Sequence, residues 1–236
     1  MVKVVKLSRQ FNVTELTIRR DLDLLESQGI LDRTHGGAIL RQRMKTEPLY
    51  REKDQANPGE KEMIGKAVNQ VVEPGDTLLI NTGSTTTQVL KHLSGEQMRV
   101  ITSNTNALKV VSDPRIELIL TGGMFRPESN SMIGLFAHSL LNQVCGSKAI
   151  IGVDGLSVKF GLTTPIQEEA EVTRLMIERT QGPVVVVTDH SKIGVVANFT
   201  TAPISKIDIL ITDAGIKPEF KKMLEDTGIR VIIAKA

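Results

Sequence analysis

A glycine and five hydroxyl-bearing residues follow one short apolar run. Thr77-Leu78-Leu79-Ile80 leads into Asn81-Thr82-Gly83-Ser84-Thr85-Thr86-Thr87. A turn of this composition opening a helix offers free backbone N–H groups, side-chain hydroxyls and the positive end of the helix dipole together. Such a place suits an anion, phosphate best of all. The run is not a Walker loop, because no Gly-Lys-Ser/Thr follows, nor a dinucleotide fingerprint, because it holds one glycine. In isolation an ordinary Ser/Thr-capped turn is the commoner explanation.

Comparable polar groups close other apolar runs: Thr102-Ser103-Asn104, Thr121-Gly122-Gly123, Gly152-Val153-Asp154-Gly155 and Asp189-His190-Ser191-Lys192. Lys192 can give a point charge to a phosphate, and Asp154 and Glu169 can accept from sugar hydroxyls. Singly, each has a plainer account. Asp154 sits in a Gly-flanked turn, and Glu168, Glu169 and Glu171 suit the first turn of a helix. Ligands of open α/β sheets bind outside the carboxyl ends of strands, so the recurrence counts as a group.

A second constellation lies near the start. Residues 1–45 carry nine Lys/Arg against five Asp/Glu, a net +4, leaving twenty basic against twenty-two acidic residues in the rest. That asymmetry fits a small polyanion-facing module on a mildly acidic body. Lys3–Asn12 reads as a short helix, Thr14 as the N-cap of a second, and Ile18, Leu22 and Leu25 as its apolar stripe. Gly29 ends it, and Ile30–Leu40 reads as a hairpin. With Ile18 and Leu22 inward, Thr17, Arg19 and Arg20 project near the helix start, where a recognition helix meets base edges. Arg bonds guanine bidentately and Thr offers a hydroxyl and a methyl. Arg33 and His35, at the hairpin, can meet phosphate or the minor groove. The competing account is a solvated helix in which Arg20 pairs with Asp21, Asp23 or Glu26.

The elements that must position these residues follow a regular alternation. The segment 41–60, with Pro48, Pro58 and many charges, reads as a connector. Beyond it, strands are expected over Thr77–Ile80, Val100–Ser103, Ile116–Thr121, Ala149–Val153, Val184–Thr188, Ile207–Thr212 and Ile229–Ile233. Helices are expected over Glu60–Val72, Thr86–Leu93, Ser131–Val144, Gln167–Thr180 and Pro218–Asp226. Continuous apolar strands alternating with helices predict a mainly parallel sheet covered on both faces. The expected units are a winged helix-turn-helix over 1–45, a linker over 46–59 and a sensor domain over 60–236.

Composition excludes several classes. The 236 residues are 40% hydrophobic with one cysteine, Cys145, which rules out a disulfide framework. No run approaches the roughly 18 apolar residues of a membrane span, so no membrane partner and a cytoplasmic protein are expected. His35, His92, His138 and His190 are scattered, no Gly-x-Ser-x-Gly is present, and no metal, cofactor or catalytic residue is expected.

The strings Leu7-Ser8-Arg9-Gln10-Phe11-Asn12-Val13, Thr17-Ile18-Arg19-Arg20-Asp21-Leu22, Leu25-Glu26, Gly29 and Arg33-Thr34-His35-Gly36-Gly37-Ala38 resemble the signature of the DeoR family of bacterial transcriptional regulators. The resemblance continues through Asp76-Thr77, Gly83–Thr86, Thr102-Ser103-Asn104, Gly122-Gly123, Gly152–Gly155, Gly161-Leu162-Thr163, Glu169-Ala170, Asp189–Lys192 and Ile211-Thr212-Asp213. It implies a winged helix-turn-helix reading a double-stranded operator through Thr14, Thr17, Arg19, Arg20, Arg33 and His35. It also implies an α/β sensor similar in fold to ribose-5-phosphate isomerase, taking a phosphorylated sugar or polyol. Thr82, Gly83, Ser84, Thr85, Thr86, Thr102, Asn104, Asp154, Glu169 and Lys192 are its expected effector residues, and a homo-oligomer, dimer or tetramer, is the expected form.

Two departures are visible. The family carries a further helix of about four turns before the segment that starts here at Lys3. Without it, part of the Val4/Val5/Leu7 and Ile18/Leu22 surface is expected to lack a partner. After Glu169-Ala170 the family places Lys-Arg, where this chain has Thr173-Arg174, one positive charge fewer. The expected function is ligand-released repression of sugar or polyol catabolic genes; the alternative is a sugar-phosphate isomerase using Asp154 or Glu169 as general base.

Overall fold

The computed structural model describes residues 1–27, 30–40, 42–43, 47–94 and 97–235. The N-terminal module runs β1 (Val2–Lys3), α1 (Val4–Phe11), α2 (Glu15–Ser27), β2 (Leu31–Thr34), β3 (Gly37–Leu40) and β4 (Gln42–Arg43). Val4, Ile18, Leu22, Leu31 and Ala38 form its core, with Leu7 and Leu25 packed against it. Thr14 caps α2, its Oγ1 accepting from the Thr17 N–H at 3.2 Å, as the N-cap reading required. The expected helix stop at Gly29 lies outside the described residues.

The Ile18/Leu22 face does not lack a partner. Both residues are buried, because α1 and the β2–β3 hairpin close over them. Val5, Phe11, Leu16 and Leu24 are among the apolar residues left exposed here, with Met1, Val2, Val13 and Ile30.

The segment expected to be a bare connector is largely helical: α3 (Tyr50–Gln55), then α4 (Pro58–Ala67), whose Pro58 stands in the first turn where its missing N–H costs nothing. Then come β5 (Thr77–Ile80), α5 (Ser84–His92), β6 (Met98–Thr102), α6 (Ala107–Val110), β7 (Ile116–Leu120), β8 (Met124–Arg126), β9 (Ser131–Ile133) and α7 (Leu135–Leu141). The expected helix over Ser131–Val144 thus begins four residues late. Its first three residues pair with β8, and Gly134 turns the chain at φ 86°. The remainder is β10 (Lys148–Gly152), β11 (Gly155–Ser157), β12 (Gly161–Thr164), α8 (Gln167–Glu178), β13 (Val184–Val187), β14 (Val195–Val196), β15 (Phe199–Ala202), β16 (Ile209–Thr212), α9 (Pro218–Glu225) and β17 (Arg230–Ile233).

Seven strands form one parallel sheet in the order β17-β16-β13-β10-β5-β6-β7. Successive side chains alternate between its faces. Leu79, Ala149, Ile151, Val184 and Val186 meet residues of α7, α8 and α9 on one side. Leu78, Ile80, Ile150, Val185 and Val187 meet α4 and α5 on the other. Burial on both sides is why the middle of these strands is apolar on both faces. The sheet's order turns at β5, with β6 on one flank and β10 on the other, which opens a crevice at their carboxyl ends.

Among the described residues, the contacts that join the N-terminal module to the body include a hydrogen bond from Lys159 Nζ to the Glu26 carbonyl at 2.8 Å. Strand β4 pairs in parallel with β14, and Ile39 of β3 packs in the core that includes Ile193, Ile216 and Phe220.

Helices α4 and α5 cross at backbone distance at Gly65, where an added Cβ would stand 2.6 Å from the Gln88 carbonyl oxygen. No rotamer relieves a clash with backbone. Gly65→Ala is therefore expected to destabilise the protein by about 1–3 kcal/mol, read as a lower urea midpoint with unchanged slope.

Candidate functional site

The crevice is bounded by the end of β5, the end of β10, β12, α8 and, from outside the sheet, α3 and α4. Asn81 fixes its floor. Its Nδ2 donates to the Gly152 carbonyl at 2.9 Å and its Oδ1 accepts from the Gly152 N–H at 2.8 Å, tying two strand ends together. Gly83 leads the chain into α5 at φ 156°. Ser84 and Thr85 open that helix and line the pocket, and among the described residues their hydroxyls have no hydrogen-bond partner. Free hydroxyls beside the first N–H groups of a nine-residue helix make the arrangement the sequence suggested.

Of the expected effector residues, Thr82, Gly83, Ser84, Thr85, Asp154, Glu169 and Lys192 are brought together on the pocket wall. Thr82 gives its hydroxyl to the Ser129 carbonyl at 3.1 Å. Thr86, Thr102 and Asn104 stand behind the wall. Thr86 bonds the Gly83 carbonyl, Thr102 accepts from the Asn104 N–H, and Asn104 donates to Thr87 at 2.9 Å. All three are fully buried, and they brace the loop.

Sequence reading missed the residues that reach the pocket from α3 and α4. Lys53 Nζ lies 2.7 Å from Asp154 Oδ1, with both side chains mostly buried, and Thr164 donates to the other Asp154 oxygen at 3.1 Å. Lys61 is only 3% exposed, and its ammonium bonds the Lys53 and Ala56 carbonyls. Burial holds its pKa below the ordinary lysine value, as does neighbouring Lys192, while Asp189 opposes the shift. Tyr50 donates its phenol to Thr87 at 2.8 Å, and burial pushes that phenol up to about 12. Asn57 anchors the α3–α4 junction by donating to Asp189 at 2.9 Å. The signal for these residues was weak: a six-residue helix between two prolines shows no readable period.

Glu169 takes a hydrogen bond from Ser131 at 3.0 Å, with Arg126 at 3.6 Å. Burial lifts its carboxyl above the ordinary value near 4.5, against the hydrogen bonds from Ser129 and Ser131. Thr173, at the position of the departure noted above, lines the pocket, and Arg174 points away to the carbonyls of Thr200 and Thr201. Among the described residues no group of His, Cys, Asp and Glu could hold a metal ion, and no helix is long and apolar enough to cross a membrane.

At the other site, Thr14, Thr17, Arg19 and Arg20 are all exposed on the first turns of α2. Arg19 meets Glu15 at 3.5 Å in a solvated pair of little strength, and Arg20 makes none of the ion pairs considered for it. His35 is exposed at the hairpin turn. Arg33 is engaged inside the module. Its Nε bonds Asp23 at 3.0 Å and its Nη1 the Gly37 carbonyl at 2.9 Å, stapling the hairpin to α2.

The raised Glu169 sets a pH dependence. Between about 4.5 and its higher folded value the native state keeps a proton the unfolded chain has lost, so stability falls as pH rises through that window. Glu169→Gln is expected to flatten this dependence and raise Tm at neutral pH, checked by thermal unfolding across pH 4–8.

Comparison with known proteins places both halves. Residues 1–43 match the model of the DeoR-like helix-turn-helix domain, and residues 56–214 that of the DeoR C-terminal sensor domain. The HTH-type transcriptional regulator GolR of Listeria innocua is 32% identical over 236 residues, covering 99% of this chain and 92% of its own length. The HTH-type transcriptional repressor GlcR of Bacillus subtilis is 32% identical over 231 residues, covering 94% of this chain and 86% of its own length. Among solved structures, a D-ribose-5-phosphate isomerase in complex with phospho-erythronic acid gives a TM-score of 0.42 at 17% identity. The match covers 56% of this chain and 52% of that one.

Proposed function

The chain belongs to the DeoR family of HTH-type transcriptional regulators, and we propose that it represses sugar or polyol catabolic genes until a phosphorylated sugar or polyol releases it from its operator. One observation carries the ligand class. The pocket wall carries the partner-free hydroxyls of Ser84 and Thr85, at a helix N-terminus, together with the carboxylates of Asp154 and Glu169. The hydroxyls at the helix start suit a phosphate, with Lys192 on the same pocket wall; the carboxylates suit hydroxyl groups. Thr17, Arg19 and Arg20 would read the operator's major groove from the start of α2, with Thr14 and His35 beside the backbone. Ligand and operator then act on one another through a coupling free energy between the two sites.

The pocket is read as a sensor, without cofactor or turnover, in a cytoplasmic protein. As general bases its carboxylates are poorly placed: Asp154 is held by Lys53 and Thr164, and Glu169 accepts from Ser131.

A homo-oligomer is part of the proposal, because paired recognition helices match paired half-sites. Met124, Phe125, Leu135 and Phe136, each 48–78% exposed, support it. The β8–β9 pairing sets Met124 opposite Ile133, two residues before Leu135. Phe136→Asp is expected to shift sedimenting dimers or tetramers toward monomer. An unchanged sedimentation coefficient would exclude this face.

The function itself is tested with DNA from the protein's own promoter region. Binding should weaken steeply with salt, and Arg20→Ala should reduce it at least tenfold at fixed salt, about the loss of one bidentate base contact. Glycerol 3-phosphate, ribose 5-phosphate, fructose 6-phosphate and tagatose 6-phosphate are screened for a rise in Tm and for release of the DNA. No salt-dependent binding and no release by any sugar phosphate would sink the proposal.

A further inference from the structure

We infer that Lys53, on the helix linking reader to sensor, is a ligand-contacting residue, and that the ligand's oxygens compete with Asp154 for its ammonium. This rests on the sugar-phosphate reading above.

Three observations lead there. Lys53 and Asp154 meet at 2.7 Å on the pocket wall, with both side chains close to nine-tenths buried, so a ligand entering the pocket meets this pair directly. A sugar phosphate is polar along its whole length and already faces two carboxylates. Its hydroxyls donate to those carboxylates and the hydroxyl oxygens can accept from a cation beside them, and residue 173, where the family resemblance implied lysine, is threonine. Lys61 cannot serve in the same way, since its ammonium bonds the carbonyls of Lys53 and Ala56 in the last turn of α3. It positions Lys53 instead.

The third observation concerns α3 itself. The helix has six residues and none is buried. A helix this short has no stability of its own, so polar ties set its place: Tyr50 to Thr87 and to the Glu128 carbonyl, Lys53 to Asp154, and Lys61 to its last turn. Replacing Asp154 by ligand oxygen changes one of these ties at the point where the chain comes from the DNA-binding module. Lys53 therefore reports occupancy of the pocket to the segment that carries the reader.

The experiment uses the full chain and the panel compound that raises Tm most. Affinity is measured by titration calorimetry for wild type, D154N, K53Q/D154N and K53R. The double variant removes both charges, so it leaves no buried unpaired carboxylate and should fold. Its affinity is expected to fall about tenfold or more below that of D154N alone, the worth of one charged hydrogen bond, and K53R should keep part of the wild-type affinity. Hydrogen exchange should show residues 50–56 changing protection on ligand addition in wild type and not in K53Q/D154N. The inference is overturned if K53Q/D154N and D154N bind within twofold of each other, or if exchange at 50–56 ignores the ligand in wild type. If wild type binds no panel compound, the sugar-phosphate reading fails first and this one with it.

Discussion

A carboxylate and an ammonium taken out of water must stay together. Removing one partner of a buried pair costs about 3–5 kcal/mol, because the other charge is left without compensation. Lys53 and Asp154 are such a pair, and they stand on different structural units: a helix outside the sheet and the turn after its central strand β10. The arrangement of α3, the pocket and the chain leading to the DNA-binding module depends on that constraint. So does the placing of Lys61, whose buried ammonium has backbone carbonyls for partners instead of a carboxylate. A pocket lined with so many charges is stable only because nearly every one of them is satisfied.

The sheet supplies the other half of the design. Parallel strands send all their carboxyl ends to one edge, where backbone groups and side chains need partners that the next strand does not give. Asn81 satisfies part of this need between β5 and β10, and Thr102, Asn104 and Thr86 satisfy more behind the wall. Ser84 and Thr85 are left over, and that remainder is what the proposed ligand would complete. In this sense the pocket is a defect in hydrogen bonding held in place by a well-satisfied frame.

What the sequence made legible follows the same physics. Val184–Val187 and Thr77–Ile80 were readable because burial on both faces demands a continuous apolar run, four valines in one and Leu78-Leu79-Ile80 in the other. Helix α2 of the helix-turn-helix module was readable because one apolar stripe leaves its polar residues a single direction. The small strands β11, β12 and β15 were not, since three or four residues containing Gly155, Gly161 and several threonines show no alternation. Lys53 was illegible for a different reason. Its partner lies about a hundred residues away in sequence, beyond the six strands β5 to β10 in chain order, and nothing local to Tyr50–Gln55 distinguishes a ligand-facing lysine from a solvated one. Arg33 shows the converse: its position suggested phosphate, and its geometry spends it on Asp23.

Ile39 belongs by sequence to the hairpin of the reader and by packing to the core of the sensor, and the next described residues, Gln42 and Arg43, pair with β14. This has a practical bearing on modular exchange among relatives. A chimera joined after the hairpin would pair one protein's Ile39 with another's Ile193 and Phe220, a mismatched core contact inside an otherwise intact body. The productive crossover lies within the hairpin itself, so that its second strand travels with the sensor whose surface it was shaped to fit.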